Sequence, residues 1–319
     1  MVHKYSDPAN YLTYAQNVIL HSTWQWVLPT LAQQQAASIK WAASKGCNQT
    51  TTAAVLACMR ALPAKSIVST SGLVNYFQPS VDGVFLTSQP YNLIKNGDYN
   101  TDVNIVIGYN ADEGNYMAFT RNGFRGPTAA LTQADYIKSV YTTSLSYWLT
   151  SAQMDGIFNW YAGNTANVGY WYGSGQILGD FYINCGTTLA APYFAKHGSS
   201  VYAFLWNYTS PNYPDQFLQA AHGNELPYIF NATVYTPYAF APSDYALAAR
   251  MIAAWSRIAD KGKPDPYVWP RYSQASPMAF LWEQVGASLD PPTTTVPFFE
   301  SNLCSNWEPI FSANSVVQP

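Results

Sequence analysis

Four near-continuous apolar runs set the terms for what this chain can fold into: "NVILHS" (17–22), "VNIVIGYN" (103–110), "VYAFLWNY" (201–208) and "PMAFLW" (277–282). Runs of that length without polar alternation suit strands buried on both faces, as in a mostly parallel sheet. Helical patterns lie between them. Residues 243–260, "SDYALAARMIAAWSRIAD", put Leu247, Met251, Ala254, Trp255 and Ile258 on one stripe, with Ser243 as the cap and Gly262 and Pro264 as the stop. A second helix is expected over about 31–45, ending at Gly46, and further helices around 131–152 and 176–196. Strands alternating with helices predict an α/β architecture with helices packed on a sheet. "DPPTTTVP" (290–297) reads as a loop, and no internal repeat or interdomain linker divides the chain.

Composition narrows the functional classes. With a net charge of -3 there is no basic footprint, which argues against a nucleic-acid partner. No apolar stretch approaches the roughly 18 residues of a membrane span. Residues 1–30 are polar where the apolar core of a signal peptide should begin. Cys47, Cys58, Cys185 and Cys304 form no C-x-x-C and have no His nearby, so they do not suggest zinc. Buried free thiols and disulfides both remain open on that pattern. N-glycosylation sequons at Asn48, Asn207 and Asn231, few lysines and an even cysteine count favour an oxidising, secretory compartment, against the absent signal peptide.

Two residues stand out chemically. Glu113 follows the run "VNIVIGYNAD" at the carboxyl end of an expected strand, where open parallel sheets gather their catalytic groups. A helix cap or a surface ion pair is the plainer alternative, and Gly114 would let the backbone turn sharply there. His222 lies in "AAHGNELPYIF", a loop after the third run, flanked by small residues. Acid before histidine is the chain order of α/β-hydrolases.

At this point a family resemblance emerges. "QPSVDGVFL" (78–86), "IVIGYNADEG" (105–114), "GDFYINC" (179–185), "AAHGNELPYIF" (220–230), "ARMIAAWSRIADKGKPDP" (249–266) and "NLCSNW" (302–307) resemble successive landmarks of the type-B carboxylesterases, the cholinesterase family. They occur in the family's order over essentially the whole chain. The resemblance implies an α/β-hydrolase fold, with Glu113 as the acid and His222 as the general base of a Ser-Glu-His triad. It further implies that Glu225 orders the histidine loop and that Tyr116 contacts substrate. The cysteine separations of 11 and 119 residues match the family's disulfides, implying the pairs Cys47–Cys58 and Cys185–Cys304. The implied substrate is a small-molecule carboxylic ester, with no metal and no cofactor.

The triad also needs a serine on a G-x-S-x-G elbow, and the sequence contains none. "YGSGQ" (172–176) sets Ser174 between glycines in the wrong context, and "GASLD" (286–290) lacks the closing glycine and follows His222. "VHKYSDPANYLTYAQNVILHS" (2–22) resembles the helix and strand that follow the elbow. The resemblance therefore implies that 1–319 is the C-terminal part of one type-B carboxylesterase domain, an incomplete α/β-hydrolase fold lacking early strands, oxyanion loop, nucleophile and secretion signal. Such a chain is expected to be inactive alone, and poorly soluble or partly molten because a central strand loses its neighbour. The alternative is a non-catalytic, cholinesterase-like adhesion or binding domain, or the product of a truncated gene. Retention of both Glu113 and His222 favours the catalytic parent. "SGLVNYF" (71–77) lacks closely spaced phenylalanines, which points to a general ester rather than a choline ester.

Overall fold

The four apolar runs fold as parallel strands laid side by side in sequence order. A computed structural model describes residues 15–24, 26–68, 78–121, 126–127, 131–232, 236, 238–264, 269–283, 295–298 and 303–313. Strands β1 (Asn17–His21), β2 (Asn104–Asn110), β3 (Ser200–Trp206) and β4 (Met278–Trp282) pair in parallel, and β5 (Thr295–Pro297) adds an antiparallel edge on β4.

Alternation along each strand sorts its side chains onto two faces. Ile105, Ile107 and Tyr109 of β2 and Val201, Ala203 and Leu205 of β3 enter one core; Val106, Tyr202, Phe204 and Trp206 enter the other. Because helices cover both faces, neither set needs to be polar, which is why the runs show no alternation in hydrophobicity. β1 differs from expectation. All five of its residues are only half-buried, since among the described residues it pairs with β2 alone and forms a sheet edge.

The helices are α1 (Leu31–Ser44), α2 (Thr52–Ala61), α3 (Ala64–Val68), α4 (Pro90–Asn96), α5 (Glu113–Arg121), α6 (Gln133–Ile137), α7 (Ser151–Gly179), α8 (Cys185–Lys196), α9 (Leu226–Phe230), α10 (Pro242–Lys261) and α11 (Cys304–Ser312). α1 starts on a capping box in which Thr30 and Gln33 each bond the other's backbone N–H, and Gly46 follows its end with φ 83°. α10 buries Leu247, Met251, Trp255 and Ile258 as the stripe foresaw, with Ala254 half-buried, and Gly262 ends it in the left-handed region. Ser243 is not its cap. Pro242 opens the helix, and the Asp244 carboxylate accepts the Ala241 N–H at 2.6 Å.

Two helical expectations need redrawing. The stretch 131–152 is not one helix: α6 runs into a π-helical segment, Lys138–Leu145, and stops. A capping box between Thr150 and Gln153 then starts α7, so the break is written in a T-x-x-Q. The helix expected at 176–196 begins 25 residues earlier, at Ser151, and passes through a kink at Gly169 and a π-helical Asp180–Asn184 before α8. Its six glycines and many aromatics give no single apolar stripe to detect. "DPPTTTVP" is also corrected: its last three residues form β5, where Pro297 is tolerated because the strand is an edge.

Both disulfides are present and no described cysteine is free. Cys185–Cys304 ties the start of α8 to the start of α11 inside the larger core, and Cys47–Cys58 ties the turn after α1 to α2. Asp244, fully buried, also accepts the hydroxyls of Tyr208 (2.7 Å), Ser210 (2.7 Å) and Tyr228 (3.1 Å). It thereby fastens both flanks of the loop between β3 and α9 to α10. No described helix is long and apolar enough to cross a membrane.

Candidate active site

β2 ends at Asn110, and after a two-residue turn the chain enters α5, whose first residue is Glu113. The carboxylate is completely buried, and three donors converge on it. Oε1 accepts the Ser22 hydroxyl, from just beyond β1, and the Asn110 N–H at 2.7 Å; Oε2 meets His222 Nδ1 at 2.5 Å. Its place in the first turn of α5 adds the favourable end of the helix dipole.

Gly114 does not make the turn foreseen for it. It is the second residue of α5, and a Cβ there would stand 1.8 Å from the Gly175 carbonyl oxygen, so its role is to let α5 approach α7.

The histidine loop is stitched to the same turn by its neighbours. Asp112 N–H donates to Ala220 O at 3.0 Å and its carboxylate accepts Ala220 N–H at 3.2 Å. Asn115 Nδ2 reaches Leu218 O at 3.2 Å, and Asn110 Nδ2 donates to Ala221 O at 2.7 Å and to Glu225 Oε2 at 2.6 Å. A short segment, Asn110–Asn115, thus holds both the carboxylate and the loop that brings His222 to it. His222 keeps about a third of its side chain exposed (34%), against 0% for Glu113.

Electrostatics follow from this asymmetry. Burial pushes the Glu113 carboxyl above its ordinary range, opposed by the His222 bond and charge and the Asn110 N–H. Burial pulls His222 down, but the Glu113 hydrogen bond and charge, with the Glu225 charge behind them, outweigh it and hold the imidazole above its ordinary value. Glu225 lies below the carboxylate range: burial pushes it up, and His21 and Asn110 more than offset that.

Glu225 touches His21 and Asn110 rather than His222. Tyr116 is 43% exposed with its ring 6.5 Å from that of His222. Asn48, Asn207 and Asn231 are all exposed. Ser174 is buried and donates to Tyr170 O. "SGLVNYF", "GASLD" and the helix expected near the start of the chain lie outside the described residues. Sequence reasoning missed Ser22, Asn110 and an aromatic wall: Trp24 stacks on Tyr182 at 4.5 Å and stands 5.8 Å from the His222 ring. Ser22, with φ 46°, immediately follows the first apolar run, but nothing in that run tells which strand lies beside Glu113.

A cavity of about 790 Å³ lies beside Ala111–Asn115, walled by Trp160, Asn164, Gln176, Asp180, Asn184 and others, but not by His222. Asp180 lies near Cys185 and Cys304, the one grouping of potential metal ligands among the described residues; both sulfurs are committed to a disulfide and offer no thiolate.

The Carboxylesterase family profile matches residues 2–289. Acetylcholinesterase of Leptinotarsa decemlineata is 25% identical over 279 residues, 81% of this chain and 44% of that protein. Acetylcholinesterase of Bungarus fasciatus is 24% identical over 306 residues, 88% of this chain and 48% of that protein. The inactive carboxylesterase-like protein VdtD of Byssochlamys spectabilis is 23% identical over 252 residues, 69% of this chain and 41% of that protein. The chain spans about half the length of the curated relatives it matches.

Proposed function

This chain belongs to the carboxylesterase family, and from that premise we propose that it carries the acid and the base, Glu113 and His222, of a serine-type carboxylic ester hydrolase whose nucleophile the chain does not itself contain. One observation carries the reading: a fully buried carboxylate stands 2.5 Å from Nδ1 of an imidazole that is one-third exposed. Glu113 holds the proton on Nδ1, which leaves Nε2 free to take the proton of a serine hydroxyl. As the hydroxyl attacks the ester carbonyl, the same carboxylate stabilises the imidazolium; the proton then passes to the departing alcohol. The substrate is a small carboxylic ester, with Tyr116 at its side. The disulfides and the exposed sequons at Asn48, Asn207 and Asn231 support a secreted glycoprotein. With no G-x-S-x-G among its 319 residues, the chain alone is inactive.

A second reading is favoured by the similarity to a relative named inactive: a cholinesterase-like binding module, or the product of a truncated gene. The two part on one experiment. The transcript is sequenced upstream of the Met1 codon, and the purified chain is incubated with a fluorophosphonate probe. An in-frame G-x-S-x-G upstream, with no labelling of the chain, supports the hydrolase. An upstream frame lacking the elbow favours the binding module, and covalent labelling of a serine within residues 1–319 overturns the assignment of the nucleophile.

A further inference from the structure

Beside the Glu113–His222 pair lies a second pair of the same make-up. His21, the last residue of β1, puts Nδ1 3.3 Å from Oε1 of the buried Glu225. Its Nε2 receives the Trp255 indole N–H at 2.8 Å, and its ring packs on Phe204 and Trp255, with centroids 4.7 and 5.2 Å away. An indole nitrogen can only donate, so Nε2 presents a lone pair and the ring proton sits on Nδ1, facing Glu225. This excludes a second general base, because the nitrogen that would take a proton is already engaged. At 3.3 Å the contact is within ion-pair range but outside hydrogen-bond alignment, so the ring acts as an oriented N–H dipole.

Glu225 passes the constraint onward. Its Oε2 accepts Asn110 Nδ2 at 2.6 Å; the same amide nitrogen donates to Ala221 O at 2.7 Å, and the Asn110 main-chain N–H donates to Glu113 at 2.7 Å. Both amide partners are acceptors, which fixes the amide's orientation. We propose that His21 is a positioning residue: facing Glu225 with Nδ1–H, it pins that buried carboxylate, and Glu225 in turn holds Asn110 across Glu113 and the loop of His222. The proposal rests on the acid–base reading of the Glu113–His222 pair, but its readouts require no ester. Among the described residues, the charged or titratable groups that act with Glu225 are His21 from β1, Glu113 from α5 and His222 from its own loop; β3 and α10 present the Phe204 and Trp255 rings to His21. Burial penalises a charged carboxylate unless such partners face it. The Glu225 charge also helps to raise His222, so losing it is felt at the base.

The test is isotope-edited NMR of histidine ring nitrogens in the full chain, for the unsubstituted protein and for His21→Phe, His21→Gln and Glu225→Gln, with folding followed by circular dichroism. The expected result is the Nδ1–H tautomer at His21. His21→Phe and Glu225→Gln should each lower the His222 midpoint by roughly half a pH unit or more. His21→Gln, whose amide N–H can face Glu225, should restore it. A purely packing role for His21 would leave that midpoint in place. The Nε2–H tautomer, or free solvent exchange at both ring nitrogens of His21, overturns the proposal. So does an unmoved His222 midpoint in folded His21→Phe; if that variant unfolds, an unmoved midpoint in Glu225→Gln overturns it and a lowered one supports it.

Discussion

Gly114 and Gly175 bring α5 and α7 into backbone contact: a Cβ on Gly114 would lie 1.8 Å from Gly175 O and 2.5 Å from the Gly179 nitrogen. Neither atom can rotate away as a side chain could. Since Glu113 and Asn115 flank this glycine, the helix separation fixes where the carboxylate and the tie to Leu218 O stand. Gly114→Ala is therefore expected to cost about 3 kcal/mol or more in urea unfolding, at the severe end of overpacking. A cost below about 1 kcal/mol would show that the helices separate freely and that their contact does not position Glu113.

His222 should titrate above its ordinary value of 6.5. With the folded-state value raised, the pair's contribution to stability is full below the unfolded value and fades as pH rises through the folded midpoint. In the proposed hydrolase the sense would be opposite: a general base must be neutral, so turnover that used His222 would fall as pH drops through that midpoint. Glu113→Gln removes the charge while keeping the shape, and is expected to lower the midpoint, because the Glu113 hydrogen bond and charge are what hold the imidazole up. Histidine NMR titration checks this; a midpoint unchanged by the substitution would mean that Glu113 does not act on His222.

The sheet and the two residues of the Glu113–His222 contact were legible because each rests on local pattern. β2 and β3 are unbroken apolar runs, and Glu113 and His222 sit in motifs whose order survives in sequence. What was not legible depends on which strands are neighbours. Ser22 reaches Glu113 only because β1 pairs with β2, a separation of 91 residues that no periodicity records. Glu225 was expected to order the His222 loop; it meets Asn110, whose amide also bonds Ala221 O of that loop, and His21 stands behind Glu225. α7 was missed for the opposite reason. Glycine there serves a close helix–helix approach, while in sequence it reads as a helix breaker.

The two disulfides should respond differently to reduction. Cys185 and Cys304 are both buried, whereas Cys58 is partly exposed. Mild reductant without denaturant should open Cys47–Cys58 first, read by alkylation and peptide mass spectrometry. Removing the Cys185–Cys304 link by double Cys→Ser substitution frees a loop of 119 residues, worth about 5 kcal/mol in the chain-entropy account, against about 3 kcal/mol for the 11-residue loop. Equal losses for the two double variants would show that native packing, rather than loop length, sets their contributions.

Asp180 gives a stability test independent of catalysis. Buried at the end of α7, it accepts the Tyr161 hydroxyl at 2.5 Å and Asn184 Nδ2 at 3.3 Å. Burial nevertheless pushes its carboxyl from 3.8 up to about 6. An acid raised on folding binds its proton more tightly in the native state, so stability falls as pH climbs from the unfolded value through about 6, and the deficit is complete above that. The difference of about 2 units corresponds to about 3 kcal/mol at most. Asp180→Asn keeps an oxygen for the Tyr161 hydroxyl, and Asn184 Oδ1, buried without a partner, offers an acceptor for the new side-chain N–H. The variant is expected to be more stable than the parent chain at about pH 7.5, with the advantage vanishing below about pH 4 where the parent carboxyl is protonated in both states. Denaturation curves at the two pH values decide it. A variant less stable at the higher pH would mean that the ionised carboxylate is better accommodated by Tyr161 and Asn184 than its burial implies.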